Sequence, residues 1–454
     1  MIGVLVGAKR LMLALVTGVA AAVVAGIGLA PNVGAAPQLL VACNAPAWSE
    51  GPTYQAGTQV TYAGRLYQAL VTHTAHPGAG WNPASTPSLW RDLGACDGGP
   101  VTPTPTRTTT PSPTPTRTAS PTPTASPTPT TPAPTGSTCG VKSRPGGKVL
   151  HGYWENWDGA ANGVHPPLGW IPITDARIRQ HGYNVINAAF PVILSDGTVL
   201  WQDGMDAGVK VATPAEMCAA KAAGLTILMS IGGATAGIDL SSSAVADRFV
   251  ATVVPLLKRY NFDGIDIDIE TGLTGSGNIN QLSTSQANLI RIIDGVLAQM
   301  PSNFGLTMAP ETAYVTGGSV TYGSIWGAYL PIVKKYADNG RLWWLNMQYY
   351  NGSMYGCDGD SYGAGTVQGF TVQTNCLNSG LVIQGTTIRV PYDKQVPGLP
   401  AQQGAGGGYM TPSLVSQAWN SHSGQLKGLM TWSINWDGSR NWTFGDNVRS
   451  LQGR

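Results

Sequence analysis

Residues 139–454 show a recurring pattern in which short apolar runs alternate with longer amphipathic segments. Each apolar run has the length of a strand, and several end in polar or aromatic residues. Strands that alternate with helices predict a parallel sheet covered by helices, and a region of this length suits one (β/α)8 barrel with insertions. The predicted strands are 149–154, 184–190, 225–230, 262–270, 305–311, 344–350, one within 388–399, and 428–432.

The segments between these runs have the periodicity of helices. In 284–300, Leu289, Val296 and Met300 are spaced so that they share one helical face. The segment 245–260 is helix-like in the same way. These two segments flank the run 262–270, so we expect that run to be a strand covered by helices.

The run 262–270 alternates acids with isoleucines, in a chain in which 11% of residues are charged. On a strand, Asp266, Asp268 and Glu270 share one face and the isoleucines share the other. A solvated face would mix in Thr, Lys and Ser, and a divalent metal site would need further ligands from His or a second acid cluster, which is not found nearby. Catalysis by carboxylates is therefore favoured over both alternatives.

The position of these acids also predicts their electrostatics. Active sites of such barrels lie at the carboxyl ends of the strands, so Glu270, as the predicted last residue, is nearest to substrate. We expect Asp268 and Asp266 behind it to raise the pKa of Glu270 toward that of a useful general acid.

The amino-terminal residues have the features of a targeting segment. Lys9 and Arg10 precede an apolar run over 11–30, and small residues follow up to Ala36. This order is typical of a secretory signal peptide over residues 1–36. The run could also span a bilayer as an uncleaved anchor, but its small residues favour cleavage. We expect a secreted, extracellular protein without a membrane anchor after cleavage.

The chain has six cysteines, an even count that predicts disulfides in a secreted protein. No spacing suggests a zinc site. Sequence alone cannot fix the connectivity. The simplest set of pairs is Cys43–Cys96, Cys139–Cys218 and Cys357–Cys376.

Residues 37–96 form a small unit that is too short to bury a self-sufficient core without a disulfide. Within it, 60–67 predicts a hairpin with Ala63 and Gly64 at the turn. The unit is rich in aromatic residues, and some rings should be exposed. Exposed rings can stack on the apolar faces of sugars.

Residues 97–138 consist largely of Thr-Pro repeats. Proline removes backbone donors and fixes φ, so an extended spacer is predicted, and its composition is typical of O-glycosylated linkers. Residues 139–454 then form the large domain. A spacer of this kind would let one domain bind a surface while the other works nearby.

Charge and motifs exclude several classes of function. The net charge is +2 without a basic run, so nucleic acid is not an expected partner. We find no phosphate-binding glycine loop, Ser-His-Asp arrangement or cofactor fingerprint, and we expect no cofactor and no metal. A monomer acting on a neutral polymer fits this composition.

The run Asp263-x-x-Asp266-x-Asp268-x-Glu270 matches in full the D-x-x-D-x-D-x-E signature of glycoside hydrolase family 18, the chitinases. This resemblance implies an α/β fold, a closed (β/α)8 TIM barrel, and hydrolysis of β-1,4 linkages in chitin. Chitin and N-acetylglucosamine oligomers are the implied partners. The motif Ser230-Ile-Gly232-Gly matches the third strand of the same family.

The small unit resembles chitin-binding modules of families 5 and 12, through matches such as Gly80-Trp81-x-Pro83. The resemblance implies chitin contact by Trp81 and Tyr67. Trp48 and Trp90 are expected to pack in the module's core, as most tryptophans of such small folds do.

The family resemblance also implies roles for residues of the barrel. Glu270 would protonate the glycosidic oxygen, Asp268 would hold the substrate's acetamido N–H, and Asp266 would tune Asp268. The Tyr350 hydroxyl would contact the reacting acetamido group, and Trp432 would form the floor of the reacting subsite. Further substrate-binding residues implied are Gln348, Asn351, Tyr153, Met308, Glu311, Ser230, Gly232 and Phe190.

Other aromatic residues have less specific expectations. Tyr349 should point away from the site because its neighbour Tyr350 points into it. Further subsites could come from four tryptophans, although single aromatic residues are more often part of a core. They are Trp154, Trp157, Trp201 and Trp436.

Two questions stay open at this level. Asp268 lies on the same strand as Glu270 and cannot oppose it across a sugar, so the nucleophile is either Glu311 or, as the resemblance implies, the substrate's own N-acetyl carbonyl. Two other classes of protein share this barrel. One is a chitin-binding lectin, which typically lacks the terminal Glu, and the other is an endo-β-N-acetylglucosaminidase. A short connection between the last two strands predicts an open cleft and endo-type cleavage.

Overall fold

The computed structural model describes residues 43–49, 51–55, 57–69, 73–75, 82–84, 90–96, 138–159, 165, 168–206, 208–234 and 237–454. These residues divide into two compact units, one built mainly from 53–73 and 82–96 and the other mainly from 138–454. The predicted signal peptide, 1–36, and all of the predicted linker except residue 138 lie outside the described residues.

Eight parallel strands build the large unit. They are β1 (Val149–Glu155), β2 (Val185–Ala189), β3 (Thr226–Gly232), β4 (Gly264–Asp268), β5 (Gly305–Met308), β6 (Trp344–Leu345), β7 (Gly398–Pro400) and β8 (Gly428–Trp432). Their spatial order is β6-β5-β4-β3-β2-β1-β8-β7. The two edges meet through backbone bonds from Val396 N to Leu345 O (2.9 Å) and from Gly398 N to Met347 O (2.8 Å). The sheet is therefore a closed barrel, as predicted.

Nine helices occur among the described residues. They are α1 (Ala176–Gln180), α2 (Pro214–Ala222), α3 (Ser243–Arg259), α4 (Thr284–Leu297), α5 (Leu330–Asp338), α6 (Val367–Ser379), α7 (Pro412–Asn420), α8 (Ile434–Gly438) and α9 (Thr443–Leu451). Helix α3 begins two residues before the prediction because Ser242 caps it by accepting from Val245 N. Helix α4 begins at a capping box of Ser283 and Gln286. No helix of the described residues is long and apolar enough to cross a bilayer.

The loops of the large unit contain shorter elements. Three small antiparallel pairs and three 3-10 turns lie between the main elements. The pairs are Val192–Ile193 with Val199–Leu200, Met354–Tyr355 with Ser361–Tyr362, and Leu381–Ile383 with Thr386–Ile388, and the turns are Thr312–Tyr314, Thr316–Ser319 and Tyr392–Lys394.

The alternation of the strands separates two apolar cores. Residues such as Leu228, Trp344 and Met430 pack together as one cluster, whereas Ile265 and Ile267 belong to a larger cluster with the covering helices. The acid side of β4 therefore faces the barrel interior and its isoleucine side faces the helices, as the alternation predicts.

Several strands differ from their predicted bounds: β4, β5 and β6 are shorter than expected, and β7 reaches one residue beyond the predicted region 388–399. Strand β4 ends at Asp268, because the N–H and C=O of Ile269 both bond to the Tyr329 hydroxyl (2.8 and 2.9 Å) instead of to a neighbouring strand. Glu270 thus lies two residues beyond the strand and is not its last residue. Strand β6 has two residues. After Leu345 the backbone makes irregular hydrogen bonds to the chain segments on both sides of it, and Gln348 N donates to Pro310 O (2.9 Å).

The end of the barrel opposite Glu270 is closed by the segment that begins at residue 138. Asp263, just before β4, accepts from Lys142 N (2.7 Å) and Ile227 N (2.9 Å) and forms a buried ion pair with Lys221 (2.7 Å). The Lys221 ammonium also donates to Gly140 O (2.8 Å). Asp263, the first acid of the motif, therefore stabilises the end of the barrel opposite Glu270.

The small unit contains a three-stranded sheet, Gln59–Tyr62, Arg65–Ala69 and Trp90–Ala95, and a pair formed by Thr53–Tyr54 and His73–Thr74. The hairpin turns at Ala63 (φ 48°) and Gly64 (φ 74°), which confirms the predicted turn. The predicted disulfide pairs are also confirmed in both units. They are Cys43–Cys96, Cys139–Cys218 and Cys357–Cys376.

Candidate active site

Asp266 lies at the centre of the barrel and is fully buried. Its Oδ2 accepts from the hydroxyls of Tyr153 (2.7 Å) and Ser230 (2.8 Å). Its Oδ1 accepts from Thr307 Oγ1 (2.5 Å) and Asn346 Nδ2 (3.1 Å). Four donors from four strands or strand ends hold this carboxylate in place. It is therefore a rigid support beneath the outer pair of acids.

The next two acids, Asp268 and Glu270, are joined by one amide. Gln348 Nε2 donates to Asp268 Oδ1 (3.0 Å), to Glu270 Oε1 (2.9 Å) and to Ala309 O (3.1 Å). Glu270 also hydrogen-bonds the Asp268 carboxyl. The backbone carbonyl of Glu270 accepts from the Tyr314 hydroxyl (2.7 Å), which holds the residue at the mouth of the barrel.

Burial raises the pKa of both carboxyl groups of this pair. Burial raises the pKa of Glu270, and it raises the pKa of Asp268 well above its usual range, with further contributions from the charges of Glu270 and Asp266. The predicted direction for Glu270 is confirmed, but the predicted cause is wrong: burial raises its pKa, whereas the hydrogen bonds with Gln348 and Asp268 lower it. A carboxyl group whose pKa is raised in this way is better suited to act as a general acid.

The pair opens into a cleft of about 640 Å³. Three aromatic residues, here called the aromatic wall, line it: Trp157, Phe190 and Trp432. Phe190 is nearly parallel to Trp432 (centroids 6.0 Å apart, 17°) and to Trp157 (6.5 Å, 18°). Flat rings of this kind suit the apolar faces of sugars. Asp268, Glu270, Gln348, Tyr350 and Asn351 also line the cleft.

Tyr350 and Asn351 are presented by the chain after β6. Tyr350 is 6% exposed, and burial followed by the charge of Asp268 raises its pKa well above the usual range, so its hydroxyl stays a donor. Asn351 is held to the loop after β7, because its Oδ1 accepts from Gly407 N (2.7 Å) and its N donates to Gly407 O (2.9 Å). Tyr349 is buried on the other side, with its hydroxyl 3.1 Å from Thr374 Oγ1, as predicted.

Several residues that were predicted to contact substrate are not among those that line the cleft. Met308 packs in the core against the helices, because its neighbour Thr307 takes the inward position on β5. Ser230 and Tyr153 are buried and donate to Asp266, so they support the carboxylates from beneath. At Gly232 (φ 110°) a Cβ would lie 2.1 Å from the Asp268 carbonyl oxygen, so this glycine allows β3 to approach β4.

Glu311 follows β5 and forms a bridge with Gln348, but it is not among the residues that line the cleft. Burial, with a smaller contribution from the charge of Glu270, raises the pKa of Glu311 to about 8. A carboxyl group with this pKa is mostly neutral at pH 7 and is a weak nucleophile.

Sequence reasoning did not assign other residues of the cleft. Trp157 was named as a possible subsite residue, although a core position was favoured; it lines the cleft, whereas Trp154 and Trp201 are buried. Trp436 is half-buried and is not among the lining residues. The position of Trp157 just after the end of β1 was the available signal. Other lining residues that were not predicted are Asn156, Asp158, Pro191, Val192, Ile193, Asp206, Val209, Gly233, Ala234 and Ala405.

The aromatic rings of the small unit differ in exposure from what was predicted. Tyr67 is 4% exposed, so it does not present an open ring for stacking, contrary to the prediction. Trp90 is buried, and Trp48 is half-buried with its ring edge-on to Tyr62 (5.4 Å, 85°). Trp81 lies outside the described residues.

Within the described residues, no group of three or more His, Cys, Asp or Glu side chains is placed to hold a metal ion. A closed parallel barrel with paired carboxylates at the carboxyl ends of its strands, beside an aromatic cleft, defines a glycoside hydrolase. Residues 149–338 match Glycosyl hydrolases family 18, and residues 47–91 match Carbohydrate-binding module family 5/12.

Known proteins agree with this class. The chain is 82% identical over 312 residues to Endochitinase 4 of Metarhizium robertsii, covering 69% of this chain and 90% of that protein. It is 82% identical over 311 residues to Endochitinase 37 of Trichoderma harzianum, covering 68% and 92%. A crystal structure of a family GH18 chitinase from Chromobacterium violaceum has a TM-score of 0.58 at 26% identity, covering 90% of this chain and 100% of that one. The chain belongs to glycosyl hydrolase family 18.

Proposed function

We propose that this protein is a secreted endochitinase that hydrolyses β-1,4 linkages between N-acetylglucosamine units of chitin. The observation that carries the proposal is the pair Asp268 and Glu270, bridged by Gln348 at the open end of the barrel beside the aromatic wall. The relatives named endochitinase support the same substrate and the endo mode.

Glu270 acts as the general acid in this proposal. It lies at the mouth of the cleft, and burial raises its pKa, so it keeps a proton that it can give to the oxygen of the leaving sugar. In the second step, the Glu270 carboxylate takes a proton from the attacking water. One residue thus serves as acid and then as base.

The nucleophile is the acetamido carbonyl oxygen of the sugar itself. Asp268 is hydrogen-bonded to Glu270, so the two cannot flank a glycosidic bond from opposite sides as in a two-carboxylate enzyme. Glu311 is largely neutral at pH 7. The carbonyl oxygen bonds to C1 as the C1–oxygen bond to the leaving sugar breaks. Water later attacks C1 from the opposite face, and the bond between C1 and the acetamido oxygen breaks as the water oxygen bonds. The product keeps the β configuration.

Asp268 and Tyr350 hold the reacting acetamido group. An oxygen of the Asp268 carboxyl group accepts a hydrogen bond from its N–H as positive charge develops on the ring that forms, and the Tyr350 hydroxyl donates to its oxygen. Asp266 contributes through its fixed negative charge, which lies next along β4 and favours a proton on Asp268 before substrate arrives. Trp432 supports the sugar face from below.

The endo mode is supported by the shape of the cleft. Between β7 and β8 the chain contains the nine-residue helix α7 and loops, with no additional subdomain to deepen the groove. An open cleft lets a polymer bind along its length. The small unit would hold the enzyme on insoluble chitin. Residues 1–36 would direct secretion, and the Thr-Pro-rich linker of residues 97–138 would join the two units.

The test is a digest of chitin hexamer followed by NMR of the product anomers, for the wild type and for Glu270→Gln. The wild type should release short products that are initially β. The substitution should lower kcat by at least about 10²-fold while the hexamer still binds. Initially α products would overturn the substrate-assisted mechanism. Binding of the hexamer without hydrolysis by the wild type would instead indicate a lectin.

A further inference from the structure

A second polar cluster lies behind the aromatic wall and is not part of the catalytic carboxylates. It consists of Glu155, His165 and Ser433, all buried. His165 Nε2 lies 2.6 Å from Glu155 Oε2, and Ser433 Oγ donates to Glu155 Oε1. Each member comes from a different place: the end of β1, the loop after it, and the start of α8.

The contacts of His165 define its protonation. Its Nδ1 lies 2.8 Å from Leu168 O, which can only accept, and its Nε2 faces the Glu155 carboxylate. A ring with acceptors at both nitrogens is satisfied as an imidazolium. Burial alone would lower the pKa of His165, but the hydrogen bond to Glu155 and its charge raise it. The cluster is therefore a buried ion pair with a bound hydroxyl.

This ion pair joins the two segments that carry the tryptophans of the aromatic wall. Trp157 follows Glu155 by two residues along the chain. Trp432 directly precedes Ser433, whose Oγ also accepts from Trp436 N (3.2 Å) and so caps α8. The Glu155 carboxylate therefore holds both segments in place. The centroids of the Trp157 and Trp432 rings lie 6.1 Å apart, with an angle of 33° between the ring planes.

The packing around the cluster leaves no room for adjustment. A Cβ added at Gly159 would lie 2.2 Å from His165 Nε2. Because His165 is buried and bonded at both nitrogens, its ring cannot move aside without breaking a bond. Gly159 thus gives a way to displace the histidine without removing any charge.

We propose that Glu155, His165 and Ser433 are positioning residues that set the spacing of Trp157 and Trp432, and through it the affinity of the cleft for the sugar chain. The part concerning affinity rests on the proposed function. The catalytic carboxylates are held separately by Gln348, so the cluster governs binding more than the chemical step.

The first test does not depend on chitin. The full-length protein is labelled with ¹⁵N at the tryptophan indoles, and the Trp157 and Trp432 signals are assigned with Trp157→Phe and Trp432→Phe. Glu155→Gln and Gly159→Ala should shift both signals, and Ser433→Thr, which keeps the hydroxyl, should shift them less than Ser433→Ala. Unchanged signals in Glu155→Gln and Gly159→Ala would overturn the proposal.

The second test measures kcat and KM for chitin hexamer, and the hexamer Kd in a Glu270→Gln background. Glu155→Gln and Gly159→Ala should each raise KM and Kd about tenfold, with kcat within about twofold. The matched control is His181→Gln, which removes an exposed His181–Asp446 pair (2.8 Å) beside α1 and should change neither. Equal losses in kcat with KM unchanged would refute a positioning role. Shifted indole signals in a protein that neither binds nor cleaves chitin would uphold the spacing role and refute the proposed function.

Discussion

The Lys221 ammonium lies 2.7 Å from the Asp263 carboxylate, with both side chains buried at the end of the barrel opposite Glu270. Asp263 is the first acid of the family signature, yet its contacts are with the base of the fold. The motif therefore combines one acid that stabilises the barrel with three that line up toward the cleft. This division leads to different expectations for substitutions within one motif.

Asp263→Ala should lower stability and leave the chemistry of the folded enzyme intact. It leaves Lys221 buried without a countercharge, which costs about 3–5 kcal/mol. Urea unfolding should show this loss, while kcat of the folded fraction at low temperature should stay within about twofold of wild type.

The matched control is Asp247→Asn, which removes the exposed pair with Arg291. Little change in the free energy of unfolding is expected there, because solvent screens such pairs. A large loss of kcat for Asp263→Ala with unchanged stability would contradict the structural role of Asp263.

The strands could be predicted where apolar content alone defines them. Strand β8 was predicted with its observed bounds, and its first four residues are buried in the wall of the barrel. Strand β6 was predicted too long, because the backbone after Leu345 follows bonds to both neighbours that no local pattern encodes. Barrel closure was implied only by the family resemblance.

The site could be predicted where residues follow the motif and less well where partners come from other strands. Alternation correctly placed Asp266 and Asp268 on the inward side. Alternation also assigns Thr307 inward and Met308 outward, but the motif match favoured Met308. The cleft role of Trp157 depends on Phe190 and Trp432, which lie far away in sequence and meet it only in the fold.

Gln348→Ala should lower kcat and move the whole pH profile upward. Burial raises the pKa of both Asp268 and Glu270, and the hydrogen bonds from Gln348 oppose this rise. Without the amide, both groups lose their protons at higher pH, so the acid and the basic limbs of kcat/KM both shift up. We expect kcat to fall about 10²-fold because the pair is no longer aligned.

A suitable control is Gln395→Ala, which removes another buried glutamine that donates to Thr374 O (3.1 Å) and Val390 O (2.7 Å). This change should lower stability without moving the pH profile. A downward shift of the acid limb in Gln348→Ala would contradict the direction derived from the hydrogen bonds.

Glu311→Gln should keep most of the activity and the β configuration of the product. With a pKa of about 8, Glu311 is mainly the neutral acid at pH 6, and glutamine has the same charge. We expect kcat at pH 6 within about threefold of wild type, measured with chitin hexamer and NMR of the anomers. A loss of several orders of magnitude would identify Glu311 as the nucleophile.

The same substitution should stabilise the protein at alkaline pH. Because folding raises the pKa of Glu311 from 4.5 to about 8, the folded state binds this proton more tightly, and the free energy of unfolding falls as pH rises through that window. Glu311→Gln removes this loss. Its advantage should be near zero at pH 4.5 and at least about 1.4 kcal/mol at pH 8, the equivalent of one pKa unit. An advantage independent of pH would refute the assignment.

Trp81→Ala should weaken adsorption to insoluble chitin and leave the turnover of soluble hexamer unchanged. Trp81 is the ring that the module's resemblance assigns to chitin, and it lies outside the described residues. We expect the adsorption constant to fall about tenfold, because one stacked ring contributes roughly 0.5–1.5 kcal/mol beyond its buried area. Trp48→Phe is the control, since Trp48 is half-buried against Tyr62 and should affect folding more than adsorption. Equal adsorption by Trp81→Ala and wild type would assign chitin contact to another ring of the module or to the barrel itself.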